Sequence, residues 1–120
     1  MQSTRRLGFA AAILFGTGTA ALSAERCPTE AEVQSAITHY VTDVYWSAGE
    51  RQTWKITDVS GFTFGQVKFA APQFGRCPVR VEYGFRVTHA DGRVDDEKMG
   101  AGETMYFFLN DFGEWEFRVG

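Results

Sequence analysis

The chain has 120 residues, of which 12 are basic and 15 acidic, and its formal net charge is −3. This acidic balance disfavours binding to nucleic acid or to an anionic membrane surface, because both require clustered positive charge. Aromatic residues make up 15% of the chain, and packing in the core of a small sheet protein accounts for most of them.

The N-terminal segment has the pattern of a secretory signal peptide. Arg5 and Arg6 precede an apolar run that ends at Phe15, and small residues up to Ala24 provide a cleavage site. The run is shorter than the ~20 apolar residues that a membrane-spanning helix needs. We therefore expect residues 1–24 to be removed and the mature protein to be periplasmic or secreted, without stable membrane insertion. The arginine pair is compatible with Sec or twin-arginine export.

Removal of this segment leaves a single domain over residues 25–120, with 10 basic and 15 acidic side chains and a net charge of −5. A domain of this size has a marginal core unless a further constraint supports it. Both cysteines of the chain, Cys27 and Cys77, lie in the exported part, where disulfides persist. We expect one internal disulfide between them; two free thiols or an intermolecular bridge are the alternatives.

The first predicted element is an amphipathic helix over Thr29 to Trp46. Thr29 is a suitable N-cap, and Gly49 lies close to the expected end. Apolar residues recur at spacings of three and four, which places them on one face of a helix. The residues expected to pack on a sheet are Val33, Ile37, Tyr40, Val41 and Val44.

Strand-like alternation begins at Gln52. The stretches Gln52–Val59 and Phe62–Ala70 are interpreted either as one long kinked strand or as two strands joined by a turn at Ser60-Gly61. The apolar phase changes at Gly65, which indicates a bulge. The pattern alone leaves both alternatives open.

The clearest strand pattern runs from Cys77 to His89, and an Asp91-Gly92 turn signal follows it. Another strand, kinked by glycines, is predicted before the Asn110–Gly113 loop, and a last strand follows that loop. The residues expected on the buried face of the central strand are Val79, Val81, Tyr83, Phe85 and Val87.

These elements predict an α+β fold, with one N-terminal helix packed on a curved antiparallel sheet of four to five strands in meander order. The topology resembles the cystatin-like and NTF2-like architectures over the whole exported chain. That resemblance implies that Cys27 and Cys77 approach each other and clamp the helix to the sheet. The stretch from Gln66 to Ala70 departs from the Gln-x-Val-x-Gly hairpin of inhibitory cystatins, so protease inhibition is not indicated.

The sequence contains no local constellation that points to catalysis, a metal or a cofactor. His39 and His89 have no obvious sequence-local partner, and the acidic run from Asp95 to Glu97 lacks the spacing of a calcium loop. An NTF2-like enzyme would instead hold an acid or base between helix and sheet. The candidates for such a site are Tyr40, Tyr45, Asp58, Tyr83 and Tyr106.

We therefore expect an exported binding module, not an enzyme, that recognises a protein partner or a small ligand in the cell envelope. Its candidate binding residues are Trp46, Trp54 and Trp115, because large aromatic side chains are enriched at binding hot spots. A small NTF2-like isomerase or hydratase is the first alternative. A structural component of an envelope or secretion assembly, docking through a sheet edge, is the second.

Overall fold

The computed structural model describes residues 26–120, and the predicted signal peptide, residues 1–24, lies outside that range. The described chain is α+β, with two α-helices and a π-helical segment preceding seven strands. In chain order the elements are α1 (Glu30–His39), the π-helical segment (Tyr40–Tyr45), α2 (Ala48–Trp54), β1 (Ile56–Phe64), β2 (Lys68–Phe69), β3 (Cys77–Arg80), β4 (Tyr83–His89), β5 (Val94–Met99), β6 (Met105–Leu109) and β7 (Trp115–Val119).

Helix α1 begins directly after Thr29, the N-cap that the sequence predicts. The Thr29 hydroxyl accepts a hydrogen bond from the Glu32 backbone N–H, and the Glu32 carboxylate accepts one from the Thr29 N–H at 2.9 Å. This capping box satisfies backbone donors that have no partner inside the helix. Val33, Ile37 and Val41 are fully buried, which confirms the predicted helix face over the first three turns.

The prediction for Val44 is wrong, because the α-helical period ends at His39. The next residues form a π-helical segment, in which the Trp46 N–H donates to the Val41 carbonyl five residues earlier, at 2.9 Å. The wider turn changes the direction in which later side chains point. Val44 is consequently 56% exposed, although a continuous α-helix would place it on the sheet.

The predicted strand over Gln52–Val59 is also wrong in its first residues, which belong to α2. Ser47 caps this helix by accepting from the Glu50 N–H, and the Arg51 side chain donates to the Trp46 and Thr42 carbonyls at 2.7 Å each. Arg51 thereby satisfies carbonyls left free at the end of the π-helical segment. Strand β1 starts only at Ile56.

The strands form two antiparallel sheets and not the single sheet of four to five strands that we expected. One sheet has the order β1-β4-β5 and the other the order β2-β3-β6-β7. The order is also not a simple meander. β2-β3, β4-β5 and β6-β7 are pairs of consecutive strands, but β1 pairs with β4 and β3 pairs with β6. β1 runs through Ser60-Gly61 with a bulge, so no turn separates two strands there.

The break between β3 and β4 lies opposite Gly100. This glycine has a φ of +90°, and a Cβ at its position would overlap the Val81 carbonyl oxygen. Only glycine has neither a side chain nor the associated restriction on φ. Gly100 thus allows two backbone segments to approach at the bend between the sheets.

The core lies between α1 and the two sheets. Its predicted central-strand members are all buried, and Met105 and Phe107 of β6 join them with 1% and 0% exposure. Cys27, just before α1, is bonded to Cys77, the first residue of β3, with their Cα atoms 5.7 Å apart. The predicted disulfide is therefore present and attaches the start of the helix to the four-stranded sheet.

Candidate functional site

An open groove of about 610 Å³ runs along the outer side of the molecule between α1 and β7. One wall is the exposed side of the helix and the other is the last strand. The lining residues are Glu32, Ser35, Ala36, His39, Tyr40, Val44, Glu114, Trp115, Glu116, Phe117 and Arg118.

Aromatic contacts hold the two walls at a fixed separation. The Tyr40 ring packs edge-on against Phe117 of β7 at 5.2 Å between centroids, and Phe117 also contacts the fully buried Phe107 at 5.1 Å. Such pairs contribute beyond their buried area. The floor of the groove is therefore continuous with the hydrophobic core.

Strand β7 is the outer strand of its sheet, and alternate backbone groups along it point away from β6. The Asn110 N–H donates to the Glu114 carbonyl, and the Gly120 N–H donates to the Thr104 carbonyl. In an antiparallel pair, hydrogen-bonded and non-hydrogen-bonded positions alternate. The even-numbered residues of β7 therefore bond to β6, whereas the N–H and C=O groups of its odd-numbered residues face outward.

No strand within residues 26–120 pairs with this outer edge. The outward-facing backbone groups belong to Trp115, Phe117 and Val119. Their side chains point toward the helix side of the sheet, opposite Leu109, Phe107 and Met105 of β6. Unpaired backbone donors and acceptors of an edge strand are a template for pairing with another chain.

One end of the groove is ordered by an ion pair between Arg26 and Glu32. The guanidinium donates to both carboxylate oxygens at 2.6 and 2.8 Å and lies 5.5 Å from the centre of the Trp115 ring. This hydrogen bonding, with that from the Thr29 N–H, lowers the pKa of Glu32 from 4.5 to about 2. The nearby Trp115 indole N–H contributes to the lowering without reaching hydrogen-bond geometry.

His39, which also lines the groove, forms a second pair with Asp43, which lies outside the groove lining. The His39 Nδ1 lies 2.8 Å from an Asp43 carboxylate oxygen, and both side chains are more than half exposed. The helical spacing of four residues brings them together. His39 therefore has a partner close in sequence, contrary to the sequence-based expectation.

The three candidate tryptophans occupy different places. Trp115 is half-buried in the groove, and Trp46, also half-buried, packs on the core after the π-helical segment. Trp54 lies in α2 and is 61% exposed. The indole N–H groups of Trp46 and Trp115 are buried without a partner among residues 26–120. Only Trp115 lies in the groove.

The five candidate acid or base residues of an NTF2-like enzyme do not share one site. Three separate depressions are lined by Tyr40, Tyr83 and Tyr106 respectively. The Tyr45 side chain is 46% exposed. The Asp58 carboxylate accepts a hydrogen bond from the Ser60 hydroxyl at 2.6 Å. Burial raises the pKa of Tyr83 from 10.0 to about 12, which moves its hydroxyl further from the pKa near neutral that suits a general base.

His89 also has partners that the sequence analysis missed. Its Nε2 lies 2.8 Å from Asp95, and the Arg93 guanidinium approaches the imidazole at 3.1 Å. These residues face each other across the β4-β5 hairpin, and an i, i+6 spacing gives no recognisable sequence motif. Among residues 26–120, no cluster of three or more potential ligands is placed to hold a metal ion.

No protein-family model, curated protein or solved structure matches this chain. The cystatin-like or NTF2-like resemblance therefore stays an interpretation of topology. Among residues 26–120, no helix has the length and apolar character needed to cross a membrane.

Proposed function

We propose that the chain is an exported, non-enzymatic binding module that takes an extended segment of a partner protein into the groove between α1 and β7. The single observation that carries this proposal is the outward-facing backbone of β7 beside an open groove. An extended peptide that adds to a sheet edge gains affinity from main-chain hydrogen bonds and specificity from alternate side chains. The helix wall supplies a surface for those side chains.

The shape of the groove supports a protein segment over a small ligand. Small-molecule sites enclose most of their ligand, whereas this groove is open and follows a strand. The space between α1 and the sheets is occupied by core side chains such as Ile37 and Phe107, both fully buried. These observations favour recognition at the outer groove over catalysis in the helix-sheet interior.

The disulfide indicates an oxidising, non-cytoplasmic environment. With the signal-peptide pattern, it supports a partner in the periplasm or outside the cell. The outer edge of β7, which has no partner strand among residues 26–120, also favours the second candidate function, a structural piece of an envelope assembly, because such a piece docks through the same backbone groups.

A library of displayed random peptides, panned against the chain purified after export, tests the proposal. Peptides that bind should slow hydrogen exchange at the amides of Trp115, Phe117 and Val119. The Glu116 and Arg118 amides already donate to β6 and should change little. Protection elsewhere, with none at the three outward amides, would contradict the proposal.

A matched pair of variants locates the binding. Val119→Pro removes one outward N–H without breaking a hydrogen bond to β6, and proline is tolerated at such edge positions. We expect it to weaken peptide binding about tenfold. Trp54→Ala removes a large exposed side chain outside the groove and should leave binding unchanged. Equal losses in both variants would place the site elsewhere.

A further inference from the structure

We infer that the segment that fits this groove is β7 of a second copy of the same chain, so that two copies form a two-fold dimer through their β7 edges. This inference rests on the proposed function, because it names the occupant of the same groove. Antiparallel pairing of two β7 strands would join two four-stranded sheets into one. A two-fold interface requires a self-complementary surface.

The backbone of β7 restricts the possible registers. Hydrogen-bonded pairs between the copies can involve only the outward-facing residues, Trp115, Phe117 and Val119. A symmetric pairing can therefore be centred on Glu116, Phe117 or Arg118. Centring on Glu116 places two glutamates opposite each other, and centring on Arg118 places two arginines opposite each other.

Only the register centred on Phe117 joins opposite charges. It pairs Glu116 of each copy with Arg118 of the other, twice across the axis. These are non-hydrogen-bonded positions, where opposed side chains are closest. Both side chains are exposed in the single chain. There the Glu116 carboxylate accepts a hydrogen bond from the Asn110 side-chain amide at 2.7 Å, and the Arg118 guanidinium lies over the Phe108 ring. Pairing across the axis would replace these contacts. The register centred on Phe117 therefore satisfies both requirements, because it pairs outward-facing backbone groups and joins opposite charges.

The apolar face of β7 is complementary in the same register. Trp115 of one copy lies opposite Val119 of the other, and the two Phe117 residues face each other across the axis. Val119 is 55% exposed in the single chain, and the indole of the second copy would cover it. Aromatic pairs with β-branched residues, and aromatic pairs with each other, stabilise neighbouring strands.

The same register determines how the two α1 helices would lie relative to each other. The two-fold axis would lie between the two Phe117 residues, normal to the joined sheet. Both α1 helices would then lie on the same face of that sheet, with the two grooves facing each other. Ser35 and Ala36, which line the groove, are small and permit close approach of the two helices. The space between α1 and β7 would then be filled by the equivalent elements of the second copy.

Sedimentation equilibrium on the chain purified after export tests the inference through charge reversal. Glu116→Arg and Arg118→Glu each replace both opposite-charge pairs by like-charge pairs, and each should raise the dimer dissociation constant about tenfold or more. An equimolar mixture of the two variants should associate again as a heterodimer. The double variant should dimerise like the wild type. Glu97→Arg makes the same charge change on β5 and should have no effect.

Hydrogen exchange supplies a second readout that does not depend on a variant. The Trp115, Phe117 and Val119 amides should become protected as protein concentration rises, while those of Glu116 and Arg118 stay constant. A wild-type chain that is monomeric at about 1 mM overturns the dimer. A dimer whose dissociation constant is unchanged by both Glu116→Arg and Arg118→Glu also overturns the inference. If such a chain still binds displayed peptides at the outward amides, the proposed function survives and only the identity of the partner is wrong.

Discussion

Cys27 is bonded to Cys77 across 50 residues of sequence, and the bond joins the start of α1 to the first residue of β3. Between these two cysteines the chain forms both helices, the π-helical segment, β1 and β2. The bridge therefore connects the helical half of the domain to the sheet half. Both walls of the groove depend on that connection, because α1 forms one wall and β7 pairs with β6 in the same sheet as β3.

Replacing both Cys27 and Cys77 with serine should lower the free energy of unfolding by ~4 kcal/mol, since the bridge restricts a long loop in the unfolded chain. Urea unfolding measures the difference. The reduced wild-type chain serves as the control and should match the double variant. Two alkylatable thiols in the untreated exported protein would contradict the expectation.

Because of the π-helical segment, we expect alanine substitution to change the free energy of unfolding very differently at two valines three residues apart. Val41 is fully buried, so Val41→Ala should cost about 2 kcal/mol in unfolding free energy through lost burial and a cavity. Val44 is 56% exposed, and Val44→Ala should change stability by less than about 0.5 kcal/mol. Similar costs at both positions would mean that α1 continues as a regular α-helix.

The Arg26–Glu32 pair should make stability depend on acid pH. Folding lowers the pKa of Glu32 from 4.5 to about 2, so its contribution is fully present above pH 4.5 and is lost as the pH falls toward 2. Glu32→Gln retains a capping acceptor but not the charge. At neutral pH it should lower the unfolding free energy by about 1 kcal/mol, because the pair is partly exposed and screened.

Urea unfolding of Glu32→Gln and wild type across this pH range checks the expectation. The difference between them should shrink as the carboxylate of the wild type becomes protonated. A difference that stays constant down to pH 2 would show that the charge of Glu32 does not account for the loss.

Two glycines beside the same bend should respond differently to alanine. Gly100→Ala forces a side chain against the Val81 carbonyl at a φ of +90°, and should cost about 3 kcal/mol or more through strain and overpacking. Gly102 also has a positive φ, of +73°, but faces open space, so Gly102→Ala should cost about 1 kcal/mol. Thermal unfolding compares them, and equal costs would show that the close approach at Gly100 is unimportant.

Several features are readable from sequence because they depend on neighbours along the chain or, for the disulfide, on the number of cysteines. The alternation from Val79 to Val87 identifies a buried face, since the side-chain period of a strand is two. The single strand predicted there is wrong, because β3 and β4 belong to different sheets. Thr29 and Glu32 identify the helix start, because the capping box is a local arrangement. The signal-peptide pattern with Cys27 and Cys77 predicts the disulfide, since with two cysteines only one internal pairing is possible.

The candidate site depends on strand pairing and helical phase, which the local sequence pattern does not determine. Alternation predicts that Trp115, Phe117 and Val119 share a face, but the bonds made by Glu114 and Gly120 determine which backbone groups of β7 turn outward. Likewise, Val44 has the spacing of a buried residue and is exposed, because a single wider turn changes the helical phase. The sequence by itself determined the start of α1 and the buried face of β3 and β4 through neighbour-to-neighbour geometry, but it gave no sign of α2 or of the π-helical segment. Only the tertiary structure decided that the outer edge of β7 has no partner strand among residues 26–120 and that α1 lies beside it, because both follow from contacts between distant segments.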